Sequence, residues 1–228
     1  MPDPCAITLG GRAFDLAHRG LVVGVAGDDA GVVARLAAEG ADAIEVSEAL
    51  VDGVAELVAD TGLPVIVTVG SGGAARVALG AGAAAIRLGT ADAALAAEIA
   101  ADAARWSAPK AATSAGERGA AHLIAPAGLL RAAQPAPVAT VVELSGVEGL
   151  AGASSARPGQ VLSLDDGTAA ARATPVLDEV ARGRLVGLHV AAAVRGVRMV
   201  RTTQVRTVRR ALDVLAAVTS ARRARLGP

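Results

Sequence analysis

Residues 64–90 read PVIVTVGSGGAARVALGAGAAAIRLGT, and this stretch decides the fold. Pro64 opens a nearly unbroken apolar run, Val65-Ile66-Val67-Thr68-Val69, rich in β-branched side chains and too short for an ordinary helix. Such a run suits a strand buried on both faces, as in a parallel sheet. Gly70-Ser71-Gly72-Gly73 breaks it and turns the chain into a helix beginning near Ala74. That helix closes at Gly80-Ala81-Gly82, and Ala84-Ala85-Ile86-Arg87-Leu88 supplies a second strand. Strand, helix and strand within so short a span force a parallel βαβ pairing.

The same unit repeats in both directions. Upstream, apolar strands are expected at residues 21–26 and 42–47, each followed by a helix, Ala30 to Glu39 closed by Gly40 and Glu48 to Ala59 closed by Gly62. Ahead of them, Ile7 to Asp15 reads as a hairpin with Gly10-Gly11 as its two-residue turn. Downstream, strands are expected at residues 121–126, 138–144, 160–164 and 197–202, making eight with those at 64–69 and 84–88. A helix spans about Ala91 to Trp106, and another starts at Thr174-Pro175, with Thr as its cap, and runs towards Val194. Gly183 and Gly187 either weaken that helix or allow a close approach. The last helix carries Val205, Val208, Leu212, Leu215 and Val218 on one face and Arg206, Arg209, Arg210 and Asp213 on the other. Residues 128–133 and 146–159 are too short or too rich in Gly and Ser for full helices, which predicts truncation in the second half of the chain. Eight strands alternating with helices predict a single α/β domain over residues 1–228, with an N-terminal hairpin segment at 1–20 and a flexible tail at 221–228. A (β/α)8 TIM barrel and a doubly wound open sheet both satisfy the pattern.

Composition narrows the function. With 228 residues, 53% of them hydrophobic, the chain can bury a substantial core. A formal net charge of zero gives no bulk attraction for nucleic acid or an anionic membrane. One Phe, one Trp and no Tyr leave little on which bases could stack. Cys5 stands alone, which removes an intrachain disulfide and a thiolate metal cluster. No signal segment and no run of eighteen apolar residues is present, so the expected compartment is the cytoplasm.

The stretch at 64–90 and the segment Gly196 to Val218 also resemble the dihydropteroate synthases (pterin-binding family), and weaker likeness spans most of the chain. In that family the strand at 64–69 ends in Asp-Thr, where this chain has Thr68-Val69, and the strand at 84–88 ends in Asn-Asp, where it has Arg87-Leu88. Gly27-Asp28-Asp29 and Ser47-Glu48 stand where the family has its two long mobile loops, and Glu45 aligns with a family Asp. Pro126 replaces a His, Glu143-Leu144 replaces Asp-Pro, and the family's lysines after residues 144 and 165 are absent. The final strand keeps the arginine of Arg-Val-His as Arg201 but reads Arg201-Thr202-Thr203. The resemblance implies the barrel rather than the open sheet, in a divergent and shortened homologue lacking most of the family's site residues. It implies no cofactor.

In a barrel the site lies at the C-terminal ends of the strands. The candidate ligand-binding residues there are Arg201, Glu143, Arg87, Glu45, Thr68, Ser71 and Asp166, with no catalytic or metal-ligating set among them. Each carries a plainer reading. Glu45, Arg87 and Glu143 form an ion-paired plug or touch a ligand, and Thr68 is a satisfied barrel residue. The Gly70–Gly73 loop cradles an anion at a helix N-terminus or is an ordinary tight turn. Asp165-Asp166 binds a cation or caps a helix, and Arg201 holds a small anion or pairs with Asp166. His18, His122 and His189 are isolated in sequence and receive no role. The resemblance therefore implies a barrel without dihydropteroate synthase activity that binds a small anionic or pterin-like ligand, a protein partner or a second copy. Its alternatives are an active pterin-binding transferase of folate biosynthesis, and an enzyme of changed chemistry using Glu143 or Glu45 as acid and base.

Overall fold

The structure is a computed structural model describing residues 6–17, 19–89, 92, 94–99, 101, 122–126, 140–145, 161–165 and 178–226. The first two strands, β1 (Ala6–Leu9) and β2 (Arg12–Asp15), form the expected antiparallel hairpin. Gly10 and Gly11 take φ of +55° and +81°, the left-handed pair that a tight two-residue hairpin turn requires.

Eight parallel strands follow: β3 (Leu21–Gly27), β4 (Ala43–Ser47), β5 (Val65–Val69), β6 (Ala85–Leu88), β7 (His122–Pro126), β8 (Thr140–Ser145), β9 (Val161–Asp165) and β10 (Met199–Thr202). They pair in the order β10-β3-β4-β5-β6-β7-β8-β9, and β9 pairs β10 to close the ring. The fold is the barrel, and the open sheet is excluded. The apolar run at 64–69 lies between two cores in this ring. Val65 and Val67 pack outward against the helices, while Ile66 packs inward, so both faces of β5 are dry. The interior floor joins Leu21, Ala43, Ile66, Ala85, Ile124 and Met199 to Ile7 and Leu9 of the hairpin, which plugs the lower end.

The described helices are α1 (Val33–Ala38), α2 (Val54–Thr61), α3 (Gly72–Gly80), α4 (residues 94–99), α5 (Glu179–Val194) and α6 (Val205–Leu226). Before α1 and α2 the chain forms 3-10 turns at Ala30–Val32 and Glu48–Gly53, where the sequence predicts continuous α-helix. The cause is local. Asp29 and Ser47 each accept a hydrogen bond from the N–H two residues on, at 2.8 and 3.2 Å, and this tight closure favours a turn over the first α-helical turn.

Helix α5 starts at Glu179 rather than at Pro175. Asp178 is extended and accepts from the Ala181 N–H at 2.7 Å, so it caps this helix, and Thr174 and Pro175 lie outside the described residues. A side chain at Gly183 or Gly187 would meet open space, so neither glycine serves a close approach. Helix α6 continues to Leu226, through the first residues of the segment expected as tail. The truncated helices expected at 128–133 and 146–159 lie outside the described residues, as does most of the helix expected over 91–106.

At the lower end Arg209 of α6 stitches the first loops together. Its Nε donates to the Gly40 carbonyl at 3.1 Å and its Nη1 to the Gly20 carbonyl at 3.0 Å, while Nη2 pairs with Asp42. Burial and the neighbouring Arg19 pull its pKa below the ordinary arginine value, and Asp42 and Asp213 offset that pull.

Candidate functional site

Side chains two residues apart on a strand share a face. Counting up from the apolar floor, Ala43 leads to Glu45, Ile66 to Thr68, Ala85 to Arg87 and Met199 to Arg201. The same period carries Val161 through Ser163 to Asp165 on β9. Five strands thus place polar side chains in one layer near the upper mouth, directly above a dry floor.

Arg201 organises that layer. It is 2% exposed and the bulkiest of the fully buried side chains among the described residues. Its Nη2 donates to Glu45 Oε1 at 2.5 Å, its Nε pairs with Glu45 Oε2, and its Nη1 donates to Asp165 Oδ2 at 2.8 Å. Thr68 Oγ1 donates to Glu45 Oε1 at 2.7 Å, and Arg87 Nη2 lies 3.8 Å from Asp165 Oδ2. The fork-to-fork pair of Arg201 and Glu45 has the planar geometry in which arginine binds a carboxylate best. Two guanidinium and two carboxylate groups neutralise one another, which is the condition for charge to sit inside a barrel. Burial pushes the Glu45 carboxyl up, but the charge and hydrogen bonds of Arg201, then Arg87 and Thr68, outweigh it and hold the group below its ordinary value.

The structure therefore brings Arg201, Glu45, Arg87 and Thr68 together. Of the other candidates, Glu143 stands on β8 in register with Pro126 and Ser163, its side chain outside the described set, and Asp166 lies outside the described residues. Glu45 and Arg87 of the expected plug are both in the layer, which Arg201 centres and in which Asp165 is the second anion. The period of two on β9 places Asp165 in this layer. Ser163 is fully buried, and its hydroxyl has no hydrogen-bond partner among the described residues.

Ser71 stands apart from this layer as the N-cap of α3, accepting from the Ala74 N–H at 3.2 Å. Two carboxylates attend its loop. Glu48 accepts from the Gly70 N–H at 2.9 Å, and Glu98, paired with Arg76 at 3.0 Å, lies so close to Gly72 that a Cβ there would fall 2.1 Å from Glu98 Oε1. The positive end of α3 thus faces the protein's own carboxylates. At the second helix start, Thr202 Oγ1 accepts from the Gln204 N–H at 2.9 Å. His189 is buried in α5 with Nδ1 2.7 Å from the Leu185 carbonyl. Among the described residues no group of three His, Cys, Asp or Glu is placed to hold a metal ion, and no helix is long and apolar enough to cross a membrane.

No family model matches the chain, and no curated protein matches it in sequence. Solved structures do match in fold. Dihydropteroate synthase from Xanthomonas albilineans in complex with 7,8-dihydropteroate aligns with a TM-score of 0.70 at 21% identity, over 95% of this chain and 99% of that one. The Yersinia pestis dihydropteroate synthase aligns with a TM-score of 0.71 at 17% identity, over 96% and 100%. The enzyme from Thermus thermophilus in complex with 6HMPPP aligns with a TM-score of 0.66 at 23% identity, over 93% and 99%. At these identities the likeness establishes a dihydropteroate-synthase-like fold along nearly the whole chain.

Proposed function

We propose that this dihydropteroate-synthase-like barrel does not make dihydropteroate and acts instead by binding a small ligand or a protein partner. The observation that carries the reading is the enclosure of Arg201. The fold places this guanidinium at the barrel mouth, and Glu45 and Asp165 occupy its donors. An incoming diphosphate would have to displace two internal carboxylates held in near-ideal geometry and leave them buried. Breaking a buried pair in that way costs about 3–5 kcal/mol, several powers of ten in affinity. The carboxylates beside the α3 N-terminus oppose an anion there for the same electrostatic reason.

The state of Glu45 also weighs against changed acid–base chemistry at this position. A general acid or base works best with a pKa near the working pH, and Arg201 drives Glu45 the other way. In this reading a ligand of the mouth approaches Arg87 and Thr68 from above and leaves the pairing of Arg201 with Glu45 and Asp165 intact.

The deciding assay incubates the purified chain with 6-hydroxymethyl-dihydropterin diphosphate and 4-aminobenzoate. No dihydropteroate above the uncatalysed level is expected. Turnover abolished by Glu143→Ala would overturn the proposal. A thermal-shift panel of pterins, aminobenzoate, diphosphate and sugar phosphates separates its two branches. A hit assigns a ligand, and silence together with a co-purifying protein assigns a partner.

A further inference from the structure

The opposite end of the barrel carries a concavity. A cavity of about 310 Å³ lies between the last turns of α5, the second half of α6 and the segment joining the hairpin to β3. Leu16, Val197, Leu212 and Leu215 give it an apolar lining, and Arg19 and Arg198 stand among them. Its volume falls at the lower end of the roughly 300–1,000 Å³ usual for small-ligand sites.

The two arginines differ in what they already hold. Arg19 lies 3.6 Å from Asp42 and 3.5 Å from Asp213, carboxylates that Arg209 also uses. Arg198 donates through Nη1 to the carbonyls of Ala193 at 2.9 Å and Val197 at 3.3 Å, and it forms no ion pair among the described residues. Two backbone carbonyls thus fix a full positive charge at the edge of an apolar hollow. An apolar surface beside an uncompensated cation is matched by a molecule that has both an apolar body and one negative charge.

We infer that this cavity binds a small monoanion with an apolar body, an alkyl or aryl carboxylate. Arg198 meets its head group, and Leu16, Val197, Leu212 and Leu215 line its tail. A second copy fits less well. A twofold contact centred here would set this arginine-bearing surface against itself, and the adjoining end of α6 adds exposed Arg222 and Arg225. The site is separate from the mouth, and its test stands whether or not the mouth is catalytic.

The test titrates the full chain with octanoate, below its micellar range, by isothermal calorimetry, with octanol and inorganic phosphate as probes lacking one feature each. Octanoate is expected to bind at one site. Arg198→Met should weaken it about tenfold or more while leaving octanol unchanged. Ala216→Leu, which fills the hollow, should abolish binding of both. Because Arg198 also holds two carbonyls, Arg198→Lys is the second variant, and it should retain octanoate binding within about threefold. The inference fails if octanoate does not bind, if Arg198→Met and wild type bind it equally, or if phosphate alone binds as tightly. It fails equally if sedimentation shows a dimer that Ala216→Leu dissociates, since a second copy then occupies the cavity.

Discussion

Replacing Glu45 by glutamine is the sharpest test of the polar layer. The variant keeps the shape of the side chain and one acceptor but removes the charge that Arg201 neutralises through Nε and Nη2. Arg201 then shares a single carboxylate, Asp165, which is itself 3.8 Å from Arg87. Removing one member of a buried ion pair costs about 3–5 kcal/mol, and the surviving amide hydrogen bonds place this case near 3 kcal/mol. Urea unfolding followed by far-ultraviolet circular dichroism measures the loss as a fall in midpoint with an unchanged slope.

The pH dependence gives a second, independent reading. Glu45 is held below its unfolded value, so its contribution is present above that value, near pH 4, and is lost as the pH falls through the lower folded value. The gap between wild type and Glu45→Gln should therefore be full at neutral pH and shrink in acid. Added salt should change it little, since the pair is buried. The double replacement Glu45→Leu with Arg201→Met should recover much of the lost stability, because it removes both charges together. A Glu45→Gln variant within about 0.5 kcal/mol of wild type at pH 7, with the same acid dependence, would refute the buried neutral quartet.

Other outcomes follow from the packing. Gly183→Ala and Gly187→Ala, both exposed in α5 with open space around them, should each stabilise by about 0.5–1 kcal/mol and together raise Tm by roughly 3–6 °C in a thermal scan. Gly24→Ala should do the reverse, losing about 1–3 kcal/mol by denaturant titration, because its Cβ would press on Leu36 at 3.1 Å, Val205 at 3.2 Å and Ala41 at 3.3 Å at once. Arg209→Met should cost about 2–4 kcal/mol in the same assay, since the Gly20 and Gly40 carbonyls and Asp42 lose a shared donor while the apolar stem is kept.

Strands were the legible part of this sequence because a parallel sheet buries both faces. Runs such as Leu21 to Ala26 and Val65 to Val69 therefore announce themselves without periodicity, and every expected strand is present with ends within two residues. Closure was not legible from pattern, since an open sheet uses the same runs, and the family resemblance supplied it. Arg201 could be found because it lies near the upper end of a strand and matches the arginine of the family's Arg-Val-His. Its partner Glu45 lies 156 residues away, and no local rule links them. That Asp165 joins the layer could have been found by counting in twos from Val161. The carboxylates at the Gly70 loop were out of reach for another reason. No local pattern ties Glu48 or Glu98 to that loop, and only the tertiary arrangement brings them to Gly70 and Gly72.

The span between Glu45 and Arg201 has a consequence for the order in which the molecule can assemble. A ribosome adding about 5–20 residues each second delivers Arg201 roughly 8–30 s after Glu45. Through that interval the carboxylate has no fork to receive it, and enclosing it would be costly. A sheet half made at that stage would leave Glu45 hydrated and β3 without its β10 neighbour. Arrival of β10 supplies the missing strand and the missing charge in one step. The clasp that shuts the finished barrel is thus missing until the last strand is made, and a chain cut before Met199 would keep an open seam on which other chains can pair.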